Sequence, residues 1–346
     1  MQEIGVRRSW KVEPLLAVHF CPDGQAPVSM AAFPAEGMRT KFSLVTGHMD
    51  GKIHYWGSCA DPVLSMTLCR DSSVDHIATP ATGRVVVAAL GNGTIILISP
   101  EQQRVEYTNT EVHQGKTIVA LKMWEDYFVT ADSDGKVVLW STLEDRGPWT
   151  KDTIRHRVLC TGSQSRRVTT LATGCIACTM LYVVVAVGHG AVQLWRANST
   201  IEAAEGKIQL VATLTEHHGP ITSAIISPDV TLLSLAGKDN TVSVWDLVNA
   251  VLVFCLPCGF SVVCNMMYSP NRYWQLVQSP VAIAVVDLEN KDVILRFNSE
   301  DDNNEAPRFS SLRFTGSLWS MDGVELIVGR SDGAIMKYRV PEERFG

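Results

Sequence analysis

The chain has 346 residues, of which 46% are hydrophobic and 19% are charged, and its formal net charge is −6. This composition excludes an intrinsically disordered chain, and the acidic balance argues against a dedicated duplex-binding protein, which is usually strongly basic. The apolar runs, such as residues 182–187, are too short to span a bilayer, and the first residues carry no apolar signal segment. We therefore expect a soluble cytoplasmic protein.

A tight turn followed by an alternating strand recurs along the chain at intervals of 41 to 55 residues. Each copy has an apolar run, a short turn rich in Asp, Asn and Gly, and a second strand that ends in an aromatic or aliphatic residue. This pattern predicts a β-hairpin. The turns and second strands occupy residues 50–56, 92–98, 134–140, 189–195, 239–245, 280–286 and 332–338, the last two copies being degenerate.

The seven copies, numbered here as blades 1 to 7, predict an all-β protein, since no segment has a sustained helical period. Isolated four-stranded sheets leave apolar faces exposed, but radially arranged sheets pack between two neighbours. Too few residues follow 338 for a fourth strand in blade 7, so we predict that residues 14–19 supply that strand and close the ring. We expect one domain over residues 13–346, preceded by a tail of residues 1–12.

The polar residues around these hairpins resemble the WD-repeat β-propeller. In such blades a His, a Ser or Thr, a turn Asp and a Trp form one buried hydrogen-bonded chain, so the resemblance implies a structural role and not a catalytic one. Blade 5 has Leu235 where the hydroxyl is expected. The candidate members are His19, Thr46, Asp50 and Trp56 in blade 1, His113, Thr130, Asp134 and Trp140 in blade 3, and His217, Asp239 and Trp245 in blade 5.

The last third of the chain narrows the resemblance. Residues 217–247 and 268–274, with a Gly-Lys-Asp turn at 237–239 and Ser-Pro-Asn-Arg-Tyr-Trp at 269–274, resemble the receptor for activated C kinase. A weak sixth repeat and an acidic loop at 300–305 fit the same family. The resemblance implies a non-enzymatic WD-repeat scaffold on the head of the small ribosomal subunit, with ribosomal RNA, ribosomal proteins, and signalling and translation proteins as partners.

The blade 1 turn departs from that family, whose Arg-Asp-Lys turn contacts ribosomal RNA phosphates. Here the aligned residues are Met49, Asp50 and Gly51, and Lys52 follows one position later, where its side chain turns to the other face. Other clustered cations could bind phosphates instead, or belong to solvated loops. The candidates for binding ribosomal RNA are Arg7, Arg8, Lys11, Arg39, Lys41 and Lys52, with a second basic patch of Lys151, Arg155, Arg157, Arg166 and Arg167.

A protein-docking surface is a further candidate at Arg272, Tyr273 and Trp274, where the family motif lies. Core packing of these aromatic residues is the alternative, because aromatic side chains at strand ends fill the space between blades.

Nine cysteines, an odd number, indicate free thiols in a reducing compartment. The pairs Cys175/Cys178 and Cys255/Cys258 have zinc-site or redox spacing, but they lie in apolar strands far apart in the chain, which favours structural thiols. No phosphate-binding loop, serine elbow or zinc-protease motif is present in the sequence. We expect no enzymatic activity, metal, cofactor or small-molecule substrate. A free cytoplasmic adaptor that no longer binds the ribosome is the alternative function.

Overall fold

The structure is a computed structural model that describes residues 14–22, 25–33, 42–57, 61–80, 82–124, 127–141, 154–160, 167–176, 180–188, 190–198, 209–257, 262–298 and 312–340. Within these ranges 28 strands form seven sheets of four, and there is no α-helix. None of the described segments forms a helix that could cross a membrane.

Each sheet is one blade, and its strands follow one another along the chain except in blade 7. Blade 1 contains β2 (Ser29–Ala32), β3 (Leu44–Gly47), β4 (Lys52–Trp56) and β5 (Leu64–Thr67), and blade 2 contains β6 (Val74–Ala78), β7 (Val86–Leu90), β8 (Ile95–Ser99) and β9 (Arg104–Asn109). Blade 3 contains β10 (Ile118–Trp124), β11 (Tyr127–Asp132), β12 (Val137–Ser141) and β13 (Arg155–Cys160), and blade 4 contains β14 (Val168–Ile176), β15 (Met180–Val187), β16 (Ala191–Asn198) and β17 (Gln209–Leu214).

The remaining blades repeat this arrangement. Blade 5 contains β18 (Ile221–Ile226), β19 (Leu232–Gly237), β20 (Thr241–Asp246) and β21 (Val251–Pro257), and blade 6 contains β22 (Asn265–Tyr268), β23 (Trp274–Gln278), β24 (Ala282–Asp287) and β25 (Asp292–Asn298). Blade 7 contains β26 (Phe314–Trp319), β27 (Glu325–Arg330), β28 (Ala334–Arg339) and β1 (Pro14–Phe20).

The seven hairpins predicted from the sequence are confirmed, since each predicted second strand overlaps the third strand of a blade. The first strands of neighbouring blades contact one another around the ring, and β26 of blade 7 contacts β2 of blade 1. The first strands therefore surround the axis, and the chain is a seven-bladed β-propeller.

The hydrophobic core is divided among the seams between blades. Seven clusters of buried residues lie between the successive blade pairs, including the pair formed by blades 7 and 1. The cluster between blades 7 and 1 consists of Cys21, Leu44, Trp56, Leu318, Ile327 and Ile335. Burial between neighbours removes both faces of each sheet from water, which is the main stabilising contribution available to a propeller.

The N-terminal strand β1 is antiparallel to β28, with Pro14 opposite Tyr338 and Phe20 opposite Ala334. The backbone N–H of Cys21 continues the pairing by donating to the Gly333 carbonyl, 2.9 Å away. The proposed tail of residues 1–12 lies outside the described residues. We propose that this pairing fastens the ring, because β28 otherwise has an open edge.

Deleting residues 1–20 tests this proposal. We expect the deletion to lower the free energy of unfolding by at least about 3 kcal/mol, because several backbone hydrogen bonds are lost together. Urea denaturation followed by tryptophan fluorescence measures the change. A control deletion of residues 1–12 keeps all of β1 and should leave the midpoint unchanged. Equal midpoints for the longer deletion and the full chain would refute the role of β1.

Candidate functional site

The turns between the second and third strands gather at one end of the ring, here called the turn face. Backbone hydrogen bonds from Gly51 to His48, from Gly135 to Asp132 and from Asn240 to Gly237 close the turns of blades 1, 3 and 5. The sequence places its polar networks and one candidate phosphate-binding turn at this end, so these turns are the natural starting point for a functional site.

Blade 3 holds a complete polar network. His113 Nδ1 lies 2.8 Å from Asp132 Oδ2, and His113 Nε2 lies 2.7 Å from Thr130 Oγ1. The indole N–H of Trp140 donates to the same hydroxyl oxygen at 2.8 Å. Three of the four predicted members therefore meet, but the prediction of Asp134 is wrong, because the carboxylate comes from Asp132.

The local backbone explains this correction. Asp132 is the first residue of its turn, and its Oδ1 also accepts hydrogen bonds from the backbone N–H groups of Asp134 and Lys136. Asp134 sits at the tip instead, where its carboxylate pairs with Lys116 at 2.9 Å. Burial alone would raise the pKa of Asp132, but the hydrogen bonds from His113 and from the backbone lower it.

Blade 5 builds the same network from different positions. His217 Nδ1 lies 3.0 Å from Asp239 Oδ2, and Asp239 is the third residue of its turn. Gly237 occupies the first position, where an added Cβ would lie 2.5 Å from His217 Nδ1. The first turn residue therefore either carries the carboxylate, as in blade 3, or is small enough to let the third residue supply it.

The missing hydroxyl of blade 5 is supplied by Ser243, which the sequence analysis did not find. Ser243 Oγ lies 2.7 Å from His217 Nε2 and accepts a hydrogen bond from the Trp245 indole at 2.8 Å. Ser243 faces Leu235 across the strand pair. In blade 3 the equivalent facing residues are Val138 and Thr130. The hydroxyl and the aliphatic side chain have exchanged places across one cross-strand pair.

Blade 1 departs further from the prediction. His48, the first turn residue, places Nε2 2.8 Å from Thr46 Oγ1, and the Trp56 indole donates to that oxygen at 2.9 Å. The side chain of His19 lies outside the described part of the chain. Asp50, the other predicted member, pairs instead with Lys52. A histidine inside the turn thus occupies the hydroxyl of Thr46 in blade 1, and the prediction of Asp50 as a network member is wrong.

His48 is neutral near pH 7. Burial, and then repulsion from neighbouring His54, lower its pKa to about 4 against weaker attraction from Asp50. Its ring lies 4.6 Å from the His54 ring, centroid to centroid, and its Nδ1 is a buried atom. This environment favours a structural role for His48 and leaves no charge on it for binding phosphate.

Among the candidates Arg7, Arg8, Lys11, Arg39, Lys41 and Lys52, only Lys52 lies in the described part of the chain. It forms an ion pair with Asp50. Its Nζ lies 2.6 Å from Asp50 Oδ2, and the two side chains are 39% and 28% exposed. Burial would raise the pKa of Asp50, but hydrogen bonds from the Lys52 side chain and backbone lower it. Any phosphate at Lys52 would have to compete with this carboxylate.

The same turn has no room for a lysine at position 51, where the resemblance implies one. Gly51 has φ +73°, and an added Cβ would lie 1.6 Å from the Cys69 carbonyl oxygen. A side chain there requires the turn to move. The packing of the turn against the loop that leads to blade 2 therefore favours glycine at this position.

The other basic candidates have different positions. Arg7, Arg8, Lys11, Arg39, Lys41, Lys151 and Arg166 lie outside the described residues. Arg155 and Arg157 lie on β13, the outermost strand of blade 3, whereas exposed Arg167 directly precedes β14, the innermost strand of blade 4. The described members of the second basic patch thus lie partly on the outer rim and partly next to the central axis, and do not form one cluster.

The three candidates for protein docking, Arg272, Tyr273 and Trp274, differ in their exposure to solvent. Arg272 lies 4.3 Å above the Trp274 ring, but Trp274 is 5% exposed and belongs to the core between blades 6 and 7. The prediction of Trp274 as a contact residue is therefore wrong. Tyr273 is 42% exposed, and its hydroxyl donates to Asp229 of blade 5 at 2.8 Å. A partner can reach Arg272 and Tyr273, and Trp274 supports them from below.

The described residues contain no group of three metal-ligating side chains. Of the two CxxC pairs, Cys255 is an exposed free thiol on β21, while the Cys175 side chain, Cys178 and Cys258 lie outside the description. The expected absence of a metal site stays a prediction for the whole chain.

Comparisons with known proteins agree with this geometry. The model of the WD domain, G-beta repeat, matches residues 208–246, which include the blade 5 network. The chain is a WD-repeat β-propeller that resembles the receptor for activated C kinase. It is 33% identical over 134 residues to small ribosomal subunit protein RACK1y of Oryza sativa subsp. japonica, covering 38% of each chain.

Two further relatives extend the comparison. Small ribosomal subunit protein RACK1 of Caenorhabditis elegans is 33% identical over 135 residues, covering 39% of this chain and 41% of the relative. Cross-pathway control WD-repeat protein 2 of Flammulina velutipes is 28% identical over 138 residues, covering 39% and 42%. The matches span about two fifths of this chain and about two fifths of the relatives' length.

The exchanged hydroxyl in blade 5 gives a sharp stability prediction. Ser243→Ala leaves the Trp245 indole N–H and His217 Nε2 without their partner, so we expect the free energy of unfolding to fall by about 3 kcal/mol. The double variant Leu235→Thr with Ser243→Val rebuilds the blade 3 arrangement and should recover most of the loss. Urea denaturation of the three proteins measures both effects. A double variant no more stable than Ser243→Ala would contradict the proposed exchange.

Acid titration tests the network of blade 3. Because the folded pKa of Asp132 lies below its unfolded value, its contribution to stability is present above about pH 4 and is lost as pH falls through the folded pKa. Asp132→Asn should therefore be less stable than the unmodified chain at pH 6, with the difference shrinking below pH 4. Urea midpoints from pH 6 to pH 3 measure this, with the tip variant Asp134→Asn as control. A constant difference across the range would refute the assignment.

Proposed function

We propose that this propeller is a non-enzymatic scaffold that docks on the small ribosomal subunit and presents signalling and translation proteins there. The observation that carries the proposal is the 33% identity to two proteins named as small ribosomal subunit proteins, over a segment of about 135 residues in the second case. A ribosome-bound scaffold works in the cytoplasm, and we propose that compartment for this chain.

Rigid presentation is the mechanism that fits the fold. Each blade is held on both faces by apolar seams, so the loops and outer strands can change without loss of the ring. The buried histidines and aspartates of blades 3 and 5 are saturated by structural hydrogen bonds. These residues are therefore occupied in holding the blades, which supports a scaffold in preference to a catalyst.

The outer rim of blade 5 supplies a surface for protein contacts. β21 pairs with β20 along one edge and with no described strand along the other. Its side chains Val251 and Val253 are 57% and 51% exposed. Exposed apolar side chains grouped in this way mark contact surfaces on soluble proteins, and they support the presentation of protein partners.

Docking on ribosomal RNA would depend on cations other than the family's blade 1 pair. The proposed contacts are Arg7, Arg8 and Lys11 of the tail and, independently of them, Lys52 of the blade 1 turn. Several phosphate contacts release several counterions, so affinity falls steeply as salt rises.

A free cytoplasmic adaptor is the second candidate, and one observation favours it. The blade 1 turn has Met49, 68% exposed, where the family carries a cation, and Lys52 is paired with Asp50. At the turn face, Lys116 is likewise paired with Asp134 and Arg330 with Asp332. These carboxylates neutralise the cations locally and would weaken an RNA contact.

Co-sedimentation with purified small ribosomal subunits separates the two candidates. The experiment uses the full chain, a salt series from about 50 to 300 mM, and the charge-reversal variants Arg7→Glu/Arg8→Glu/Lys11→Glu and Lys52→Glu. We expect binding at low salt that falls at least tenfold by the highest salt, and a further loss in the triple variant. Lys291→Glu, at the other end of blade 6, is the control and should bind normally.

Retention of the chain in the supernatant at every salt concentration would overturn the ribosomal proposal and leave the free adaptor. Binding that none of the charge reversals weakens would retain the ribosome as partner but refute the assigned contacts. Unchanged thermal unfolding of each variant shows that a loss of binding does not come from a loss of folding.

A further inference from the structure

The first strands of the seven blades enclose a cavity of about 350 Å³ on the ring axis. Its lining is unusually polar for the centre of a protein, because hydroxyl and amide side chains from most blades reach it. The polar lining includes Ser29, Thr170, Ser223, Asn265, Gln278 and Ser317.

Lys122 of β10 is the one lysine in this lining, and the lining contains no arginine. Within the described part of the chain, Lys122 makes no hydrogen bond and no ion pair. Burial lowers its pKa, and no neighbouring charge acts strongly enough to oppose that effect. Lys122 is half-buried, and an ammonium group partly withdrawn from water without a compensating anion is costly. An anion that entered the cavity would therefore be stabilised by this lysine.

Several blades line the space around the lysine. Lys122 pairs with Val129 in blade 3, and Thr169 and Thr170 of blade 4 and Thr222 and Ser223 of blade 5 line the same cavity. The volume beside the ammonium is therefore a property of several blades together.

The other titratable groups of the lining do not neutralise Lys122. Asp75 is held by the Ser73 hydroxyl at 2.5 Å and lies outside ion-pair distance of the lysine. His76 is neutral near pH 7, because burial lowers its pKa and Lys122 lowers it further, and its Nε2 lies 3.2 Å from the Ile118 carbonyl. Cys264 is the remaining titratable group, and burial raises the pKa of its thiol.

We propose that the central cavity binds a small phosphate-class oxyanion, with Lys122 as its counter-ion. The ammonium supplies the charge, and the hydroxyls of Thr170 and Ser223, which make no hydrogen bond with a described residue, line the same cavity as donors. Charge-assisted hydrogen bonds to phosphate oxygens are among the strongest that a protein forms. The repulsive carboxylate of Asp75 limits the site to small anions that stay on the lysine side.

Calorimetric titration of the full chain with inorganic phosphate and with glycerol 3-phosphate tests the proposal and distinguishes the free ion from an ester. We expect one site with a Kd of about 1 mM or tighter for at least one probe. Lys122→Met should weaken it at least tenfold, since it removes the charged donor. Lys238→Met, which removes an exposed lysine from the turn face, should leave the affinity unchanged.

Thermal unfolding keeps the test independent of folding defects. Without added anion, Lys122→Met should unfold at a higher temperature than the unmodified chain, because it replaces a half-buried charge without an ion-pair partner by an apolar side chain of similar length. With phosphate present, the unmodified chain should gain stability and the variant should not. Absence of binding to both probes, or equal binding by Lys122→Met, would overturn the proposal. This test does not involve the ribosome, so its failure leaves the proposed scaffold function untouched.

Discussion

The burial of both faces of every sheet is the constraint on which this structure depends. Each blade exposes two apolar faces when it stands alone, and the ring arrangement covers both of them with neighbouring blades. This packing forces the third-strand tryptophans Trp56, Trp140 and Trp245 into places without water. Each indole N–H then needs an internal acceptor, and the polar networks follow from that requirement.

The three networks all give the tryptophan indole N–H a hydroxyl acceptor, but the residue that supplies this hydroxyl differs between blades. Thr130 provides the hydroxyl from the second strand in blade 3, and Ser243 provides it from the third strand in blade 5. In blade 1 a histidine inside the turn, His48, makes the hydrogen bond to the hydroxyl of Thr46. In each of these blades the tryptophan indole N–H needs a hydroxyl acceptor. Either of two facing residues in a strand pair can supply that hydroxyl, because their side chains lie side by side.

The turn face therefore has two features that bear on function. Its histidines and several of its carboxylates serve the fold, and its cations at Lys52, Lys116 and Arg330 are matched by aspartates. Lys122, in the lining of the central cavity, makes no ion pair with a described residue. The proposed scaffold surfaces and the proposed anion site thus belong to different parts of the molecule and can be tested separately.

The sequence by itself determined the all-β class, the seven hairpins and the likeness to WD repeats, because turn residues and period-2 alternation are local signals. It also identified His113, Thr130 and Trp140, whose spacing reflects one hairpin and the loop before it. Only the tertiary structure decided between Asp132 and Asp134, found Ser243 opposite Leu235, and brought His48 instead of Asp50 into the blade 1 network. These choices depend on the space and facing partners inside a packed blade. The position of Lys122 in the central cavity was likewise invisible in the sequence, because that cavity arises where strands from separate repeats meet.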